Sequence, residues 1–396
     1  MTRPFDPETL PAPSRLPDRE GLPDPFTTFE GTSVRTEVDW ERRRAELVQL
    51  FRHYMYGYAP EPPALSFAVG DEHPVAEGRG TLRTVEITYP ELPAETPTLR
   101  LSLFRPVDAD EPPVIVGLNK RGNHTVAEHQ SLPVATEGTA EDRGRAASNW
   151  CFEYFLERGY AFATFHAGDL DPDRDDFTDG LHPYFDDEVS GPAGTEWGTI
   201  AAWAWGFHRC VDYLVETDDI DGDQIGVSGH SRRGKTALLA GATDERIALV
   251  NPHQSGTGGC ALSRDNDHES VSLLTGAQPH WFNDLFHGFA GRPQRIPIDQ
   301  HLLIALVAPR AIIATEGARD LTANPGRCLD ALQAAAPVWE LLGETGIVGE
   351  GILYGDAAIT PSTVGDVLQH RLETGHTLNR SYWENILDFA DVHLEH

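Results

Sequence analysis

Gln224-Ile225-Gly226-Val227-Ser228-Gly229-His230-Ser231-Arg232-Arg233-Gly234-Lys235-Thr236 decides the fold, because an apolar run there turns abruptly into the helix-forming segment Ala237-Leu238-Leu239-Ala240. Two chemistries use such a strand-turn-helix context. From Gly229 to Thr236 the octapeptide satisfies G-x-x-x-x-G-K-[ST], the pattern of a phosphate loop. Around Ser231 it is close to the G-x-S-x-G turn that presents a nucleophilic hydroxyl, with Arg233 where the last glycine belongs and Gly234 one residue later. A phosphate loop also needs an acid on a second strand to hold Mg²⁺. The next apolar run, Ile247-Ala248-Leu249-Val250, ends in Asn251-Pro252, and Ala311-Ile312-Ile313-Ala314-Thr315 offers only Glu316. The metal half of that motif is poorly supplied, so the nucleotide-hydrolase reading is the weaker one.

The hydroxyl reading demands a carboxylate and then an imidazole farther along the chain, the order Ser, Asp or Glu, His of α/β-hydrolases. Both are present. The apolar run 311–314 leads into Glu316-Gly317-Ala318-Arg319-Asp320, and Glu373-Thr374-Gly375-His376 precedes the closing helical stretch that begins at Tyr382. Taken singly, an Asp after a strand caps a turn and a His in a polar loop is solvated. Three such groups, each past the carboxyl end of a strand and in the required order, point to a catalytic set of Ser231, Asp320 and His376. The N–H of Arg232 and the loop 118–121, after the Val114-Ile115-Val116 strand, are candidate donors to an oxyanion.

Further motifs run in order through the chain: Leu22-Pro23-Asp24-Pro25-Phe26, Gly117-Leu118-Asn119 with Gly122-Asn123-His124, Glu196-Trp197-Gly198, Gly229-His230-Ser231-Arg232, Ser255-Gly256, His280-Trp281-Phe282 and Ala308-Pro309-Arg310. In these the chain resembles the glucuronoyl esterases of carbohydrate esterase family 15, particularly the prokaryotic members, from about residue 22 to 394. The resemblance implies an α/β-hydrolase fold: a three-layer αβα sandwich with a mostly parallel sheet. It makes Ser231 the nucleophile, His376 the base and the Arg232 guanidinium a second oxyanion donor. Lys235 and Glu269 match positions that bind uronate hydroxyls, and no cofactor or metal is implied. Many members carry the acid at the position of Gln254, whereas some prokaryotic members carry it where Asp320 stands. A Trp that the family stacks on the sugar is here Thr322. The implied activity is hydrolysis of the ester of a glucuronic acid, or its 4-O-methyl form, with an alcohol, of the glucuronoxylan-lignin type. A deacetylase of acylated sugars or xylan is the alternative that the missing Trp motivates, and a silent carbohydrate-binding protein is a third.

Composition bounds the partners. The 396 residues hold 62 acidic and 31 basic side chains, a formal charge of −31, and only two of the basic residues are Lys: Lys120 and Lys235. Such a surface fits adaptation to high salt and excludes a nucleic-acid partner, which requires clustered cations. The oligomeric state is not legible. No run reaches the roughly 18 apolar residues of a membrane span. Met1-Thr2-Arg3-Pro4-Phe5-Asp6 lacks the apolar core of a signal peptide, so the chain as written reads as cytoplasmic, although members of the resembled family are commonly exported. The segment Asp169-Leu170-Asp171-Pro172-Asp173-Arg174-Asp175-Asp176 invites a calcium reading, but Arg174 stands where an EF-hand needs Gly, and a solvated acidic loop is expected. The four cysteines are too scattered for a zinc motif.

Residues 1–35, rich in Pro and acids, read as an irregular arm, and 36–394 as one catalytic domain. Thr36-Glu37-Val38-Asp39 opens an amphipathic helix in capping-box style. Stretches 81–89 and 99–104 alternate like half-buried strands, while 114–116 and 161–165 are continuously apolar, as in a buried parallel sheet. Helical stretches at 195–215 and 325–342 interleave with them.

Overall fold

The computed structural model describes residues 9–185 and 191–394; the first eight residues of the arm lie outside them. Eleven strands form one sheet: β1 Ser66–Val69, β2 His73–Val75, β3 Gly80–Thr88, β4 Leu99–Pro106, β5 Val114–Asn119, β6 Ala161–His166, β7 Ile225–His230, β8 Ile247–His253, β9 Ala311–Gly317, β10 Ile352–Tyr354 and β11 Val367–Leu372. Their order is β1-β3-β4-β6-β5-β7-β8-β9-β11-β10, with β2 beside β3. Pairings among β1 to β4, and β4 with β6, are antiparallel; from β6 to β10 all are parallel.

Alternation along the strands divides the core between two faces. Val114, Val116 and Leu118 of β5 join one apolar cluster with the helices Thr199–Leu214, Arg232–Thr243 and Pro325–Ala335. Ile115 joins the other, with Phe152–Glu157 and the closing helix Arg380–His393. Helices on both faces of a mostly parallel sheet make the expected three-layer α/β-hydrolase sandwich. The capping box also forms: Thr36 Oγ1 accepts from the Asp39 N–H, and the Asp39 carboxylate accepts from the Thr36 N–H. The arm is fastened over residues 9–35, where Tyr54 donates to the Pro11 carbonyl, Arg43 to that of Pro25 and His301 to that of Pro23.

Two boundaries differ from the sequence reading. Residues 195–198 are irregular, and the Thr199–Leu214 helix starts after them. The 325–342 stretch is two helices, because Pro337 has no N–H to continue the first; the second is Pro337–Leu341.

Because β5, β7, β8, β9 and β11 run parallel, their carboxyl ends share one edge of the sheet. Lys120, Ser231, Gln254, Asp320 and His376 all follow those ends. Ligands of open parallel sheets collect at that edge.

Candidate active site

Ser231 is the whole connection between β7 and the helix Arg232–Thr243. Its backbone sits at φ 65°, ψ −126°, a conformation that costs a non-glycine residue about 1–3 kcal/mol and persists only where the surroundings enforce it. The surroundings do so. Ser231 N–H donates to the His253 carbonyl at 3.0 Å, and the Ser231 carbonyl accepts from Gly234 and Lys235 at 2.8 and 3.1 Å. A Cβ on Gly229 would meet the Arg233 carbonyl oxygen at 2.1 Å, and one on Gly234 would meet the Gly229 and His253 carbonyl oxygens at 2.8 Å. Gly234, one residue later than the usual pattern, therefore supplies the close approach the turn needs.

The same geometry corrects the phosphate-loop alternative. Gly229 and His230 belong to β7, and Arg232 to Thr236 belong to the helix, so no open loop remains to wrap a phosphate chain. Lys235 is 2 % exposed, and its ammonium donates to the Ser255 and Thr257 carbonyls at 2.8 and 2.6 Å and to Glu269 at 3.0 Å. An ammonium has three N–H donors, and all are spent.

Asp320 and His376 meet. Asp320 Oδ2 accepts from His376 Nδ1 at 2.5 Å, with Asp320 4 % exposed. Burial pushes the Asp320 carboxyl up, but the His376 hydrogen bond and charge outweigh it and hold the group below the usual carboxylate range. His376 and Ser231 line one cavity of about 450 Å³, together with Leu118, Lys120, Arg121 and Arg232. Glu316, the other acid near this strand end, is fully buried, and that burial raises its pKa well above the ordinary value.

Gln254 takes a part the sequence does not disclose. Its Nε2 donates to the Gly375 carbonyl and to Tyr382 Oη at 3.0 and 3.1 Å, while its Oε1 accepts from Thr377 N–H at 2.8 Å and faces His230 Nε2 at 3.1 Å. One amide thus spans the loop on either side of His376. His253 adds a second tie, with Nδ1 at 3.0 and 2.9 Å from the Thr315 carbonyl and Oγ1 and Nε2 at 2.9 Å from the Thr377 carbonyl. Burial pushes His253 down to about 4, which keeps it neutral in that role. The resemblance marks Gln254 as a position where many members carry the acid; its bracing of the His376 loop has no sequence signal.

The acidic loop is also not a free surface. Asp173 accepts from Arg232 at 2.6 Å, Trp281 Nε1 at 2.9 Å and His280 Nε2 at 3.2 Å, and Arg232 lies 4.3 Å from the Trp281 ring centroid. Burial pushes Asp173 up, yet His280, Trp281 and Arg232 more than offset it, so the carboxyl lies far below its ordinary value. Among the described residues no group of three or more His, Cys, Asp or Glu is arranged to hold a metal ion, and no helix is long and apolar enough to cross a membrane. The four cysteines are free thiols.

Fold and site together define a carboxylic ester hydrolase of the α/β-hydrolase class. A family model described as glucuronyl esterase, fungi, matches residues 151–343. Carbohydrate esterase MZ0003 from an unknown prokaryotic organism is 35 % identical over 94 % of this chain and 89 % of its own length. A 4-O-methyl-glucuronoyl methylesterase of Cerrena unicolor is 30 % identical over 81 % of this chain, which spans 62 % of that longer protein. The solved glucuronoyl esterase from Solibacter usitatus superposes with a TM-score of 0.85 at 32 % identity, over 95 % of this chain and 98 % of that one. The chain belongs to the glucuronoyl esterases, carbohydrate esterase family 15.

Proposed function

We propose that the protein hydrolyses the ester of a glucuronic acid with an alcohol through a glucuronoyl-enzyme on Ser231. The observation that carries this reading is the 2.5 Å contact of Asp320 with His376, which lines the same cavity as Ser231. His376 Nε2 takes the proton of Ser231 Oγ as the hydroxyl attacks the ester carbonyl, and Asp320 holds the ring in the tautomer with Nδ1 protonated. The imidazolium then gives that proton to the departing alcohol. Water activated by the same ring releases the acid and restores the serine. The oxyanion is stabilised by the Arg232 N–H at the helix start, by backbone of the loop 118–121 and by the Arg232 guanidinium, which Asp173 and Trp281 hold in place.

For the sugar, Glu269 is the hydroxyl acceptor. Lys235, with its donors spent, acts by fixing and neutralising Glu269 rather than by touching the ligand. The names of the Cerrena unicolor and Solibacter usitatus relatives support a uronate acyl group. Turnover of benzyl glucuronate and of acetylated xylan, each with the Ser231→Ala protein as control, tests the reading. Faster Ser231-dependent release from the uronate ester is expected; faster deacetylation would transfer the assignment to acylated sugars.

A further inference from the structure

The cavity beside Ser231 is lined by five cations, Lys120, Arg121, Arg145, Arg232 and Arg233, and by no Asp or Glu. In a chain of formal charge −31 that concentration needs a cause. Internal pairing accounts for three of the five: Asp142 takes Arg145 at 2.9 Å, and Asp173 takes Arg232 at 2.6 Å and Arg233 at 3.6 Å. Lys120 and Arg121 form no ion pair with an acid among the described residues, and both are exposed at the cavity. Lys120 is one of only two lysines, and the other, Lys235, is spent inside the protein. Burial, then the Arg233 and Arg232 charges, pull the Lys120 ammonium below its ordinary pKa and outweigh the opposing pull of Asp173. Two exposed neighbouring cations held in no ion pair, beside three more, offer a site that an anion from outside can fill.

The position of the cluster says which half of the substrate carries that anion. His376, which protonates the leaving alcohol, lines the same cavity, and Leu378, Trp150 and Ala146 form an apolar wall next to it. Lys235 and Glu269, assigned above to the sugar, do not line it. We propose that this cavity is a subsite for the alcohol half of the ester and selects alcohols whose apolar body bears a carboxylate, held by Lys120 and Arg121. The inference rests on the ester-hydrolase reading and adds the charge of the leaving group to it.

Two esters of equal size test the idea, 4-carboxybenzyl glucuronate and 4-carbamoylbenzyl glucuronate, compared by their ratio of kcat/KM. Charge-assisted hydrogen bonds predict a preference for the carboxylate of about 10- to 100-fold, shrinking as salt is raised. In Lys120→Gln/Arg121→Gln the ratio should fall to near one or below. Damage to oxyanion stabilisation or to folding slows both esters alike and leaves the ratio unchanged, so the readout isolates recognition of the charge. A ratio at or below one in the unaltered protein, or one that survives the double substitution, overturns the proposal. If neither ester is cleaved while acetylated xylan is, the uronate reading fails as well, and the two failures are thereby told apart.

Discussion

Ser231 occupies a backbone conformation that a serine adopts only under compulsion; of what compels it, Gly229 and Gly234 are legible in the chain, while the carbonyl of His253 is not. The octapeptide fits two chemistries, and the choice between them rests on the later Asp320 and His376 rather than on the motif. What the residues alone could not disclose is partner geometry. Arg232, expected as an oxyanion donor, is gripped by Asp173, a residue 59 positions earlier in a loop that reads as solvated acid. Asp173→Asn should weaken that grip and lower kcat by up to about 10²-fold, the lower end of the cost of losing one oxyanion donor, with little change in KM. Steady-state kinetics on benzyl glucuronate would show it; a fall confined to KM would instead make Asp173 a ligand contact. Lys235 was expected to meet sugar hydroxyls, and the three acceptors that use up its donors come from segments whose approach no local pattern encodes.

At the scale of elements, the loop carrying His376 is a bridge between strand ends rather than a free connection. Gln254, after β8, and Arg319, after β9, hold it from two sides, with Arg319 N–H donating to the Thr374 carbonyl at 2.9 Å. A Cβ on Gly317 would press on the Gly375 and Thr374 carbonyl oxygens at 2.6 and 2.8 Å. Gln254→Leu removes four hydrogen bonds at a buried position, and each amide or carbonyl left unpaired costs about 1–3 kcal/mol. Faster hydrogen exchange over 373–379 and a fall in kcat are expected, whereas exchange unchanged from the unaltered protein would deny Gln254 its bracing role. The buried strands were legible because their apolar runs are continuous, and the Glu37–Phe51 helix because its cap is a local motif. The short edge strands β1, β2 and β10 were not, since three or four half-exposed residues form a strand only when a neighbour supplies the ladder.

For the whole molecule, charge and pH set the working range. A formal charge of −31 repels itself in dilute buffer, so the midpoint of thermal unfolding should rise as salt increases into the molar range; a maximum at low salt would remove the high-salt reading. Acid should destabilise the fold through its buried imidazoles. Burial pushes His253 from the ordinary 6.5 down to about 4, and burial with the His253 and His376 charges pushes His230 down to about 2. The unfolded chain binds those protons near 6.5 and the folded chain does not. Their contribution is therefore full above that pH and is lost on descending toward 4, by about 1.4 kcal/mol per pH unit for each group. Urea unfolding at pH 7 and pH 5 measures the loss, and equal stabilities would contradict it. The alternation of strands and helices made the sandwich legible, but the meeting of three parallel strand ends at one cavity is a property of the assembled sheet. The most direct test of that convergence is kcat for benzyl glucuronate in Ser231→Ala, Asp320→Asn and the protein carrying both substitutions. Groups that act as a unit predict a loss of about 10³-fold or more for each single change and no further loss for the pair. Asp320→Asn with near-normal turnover, or losses that multiply, would contradict the account.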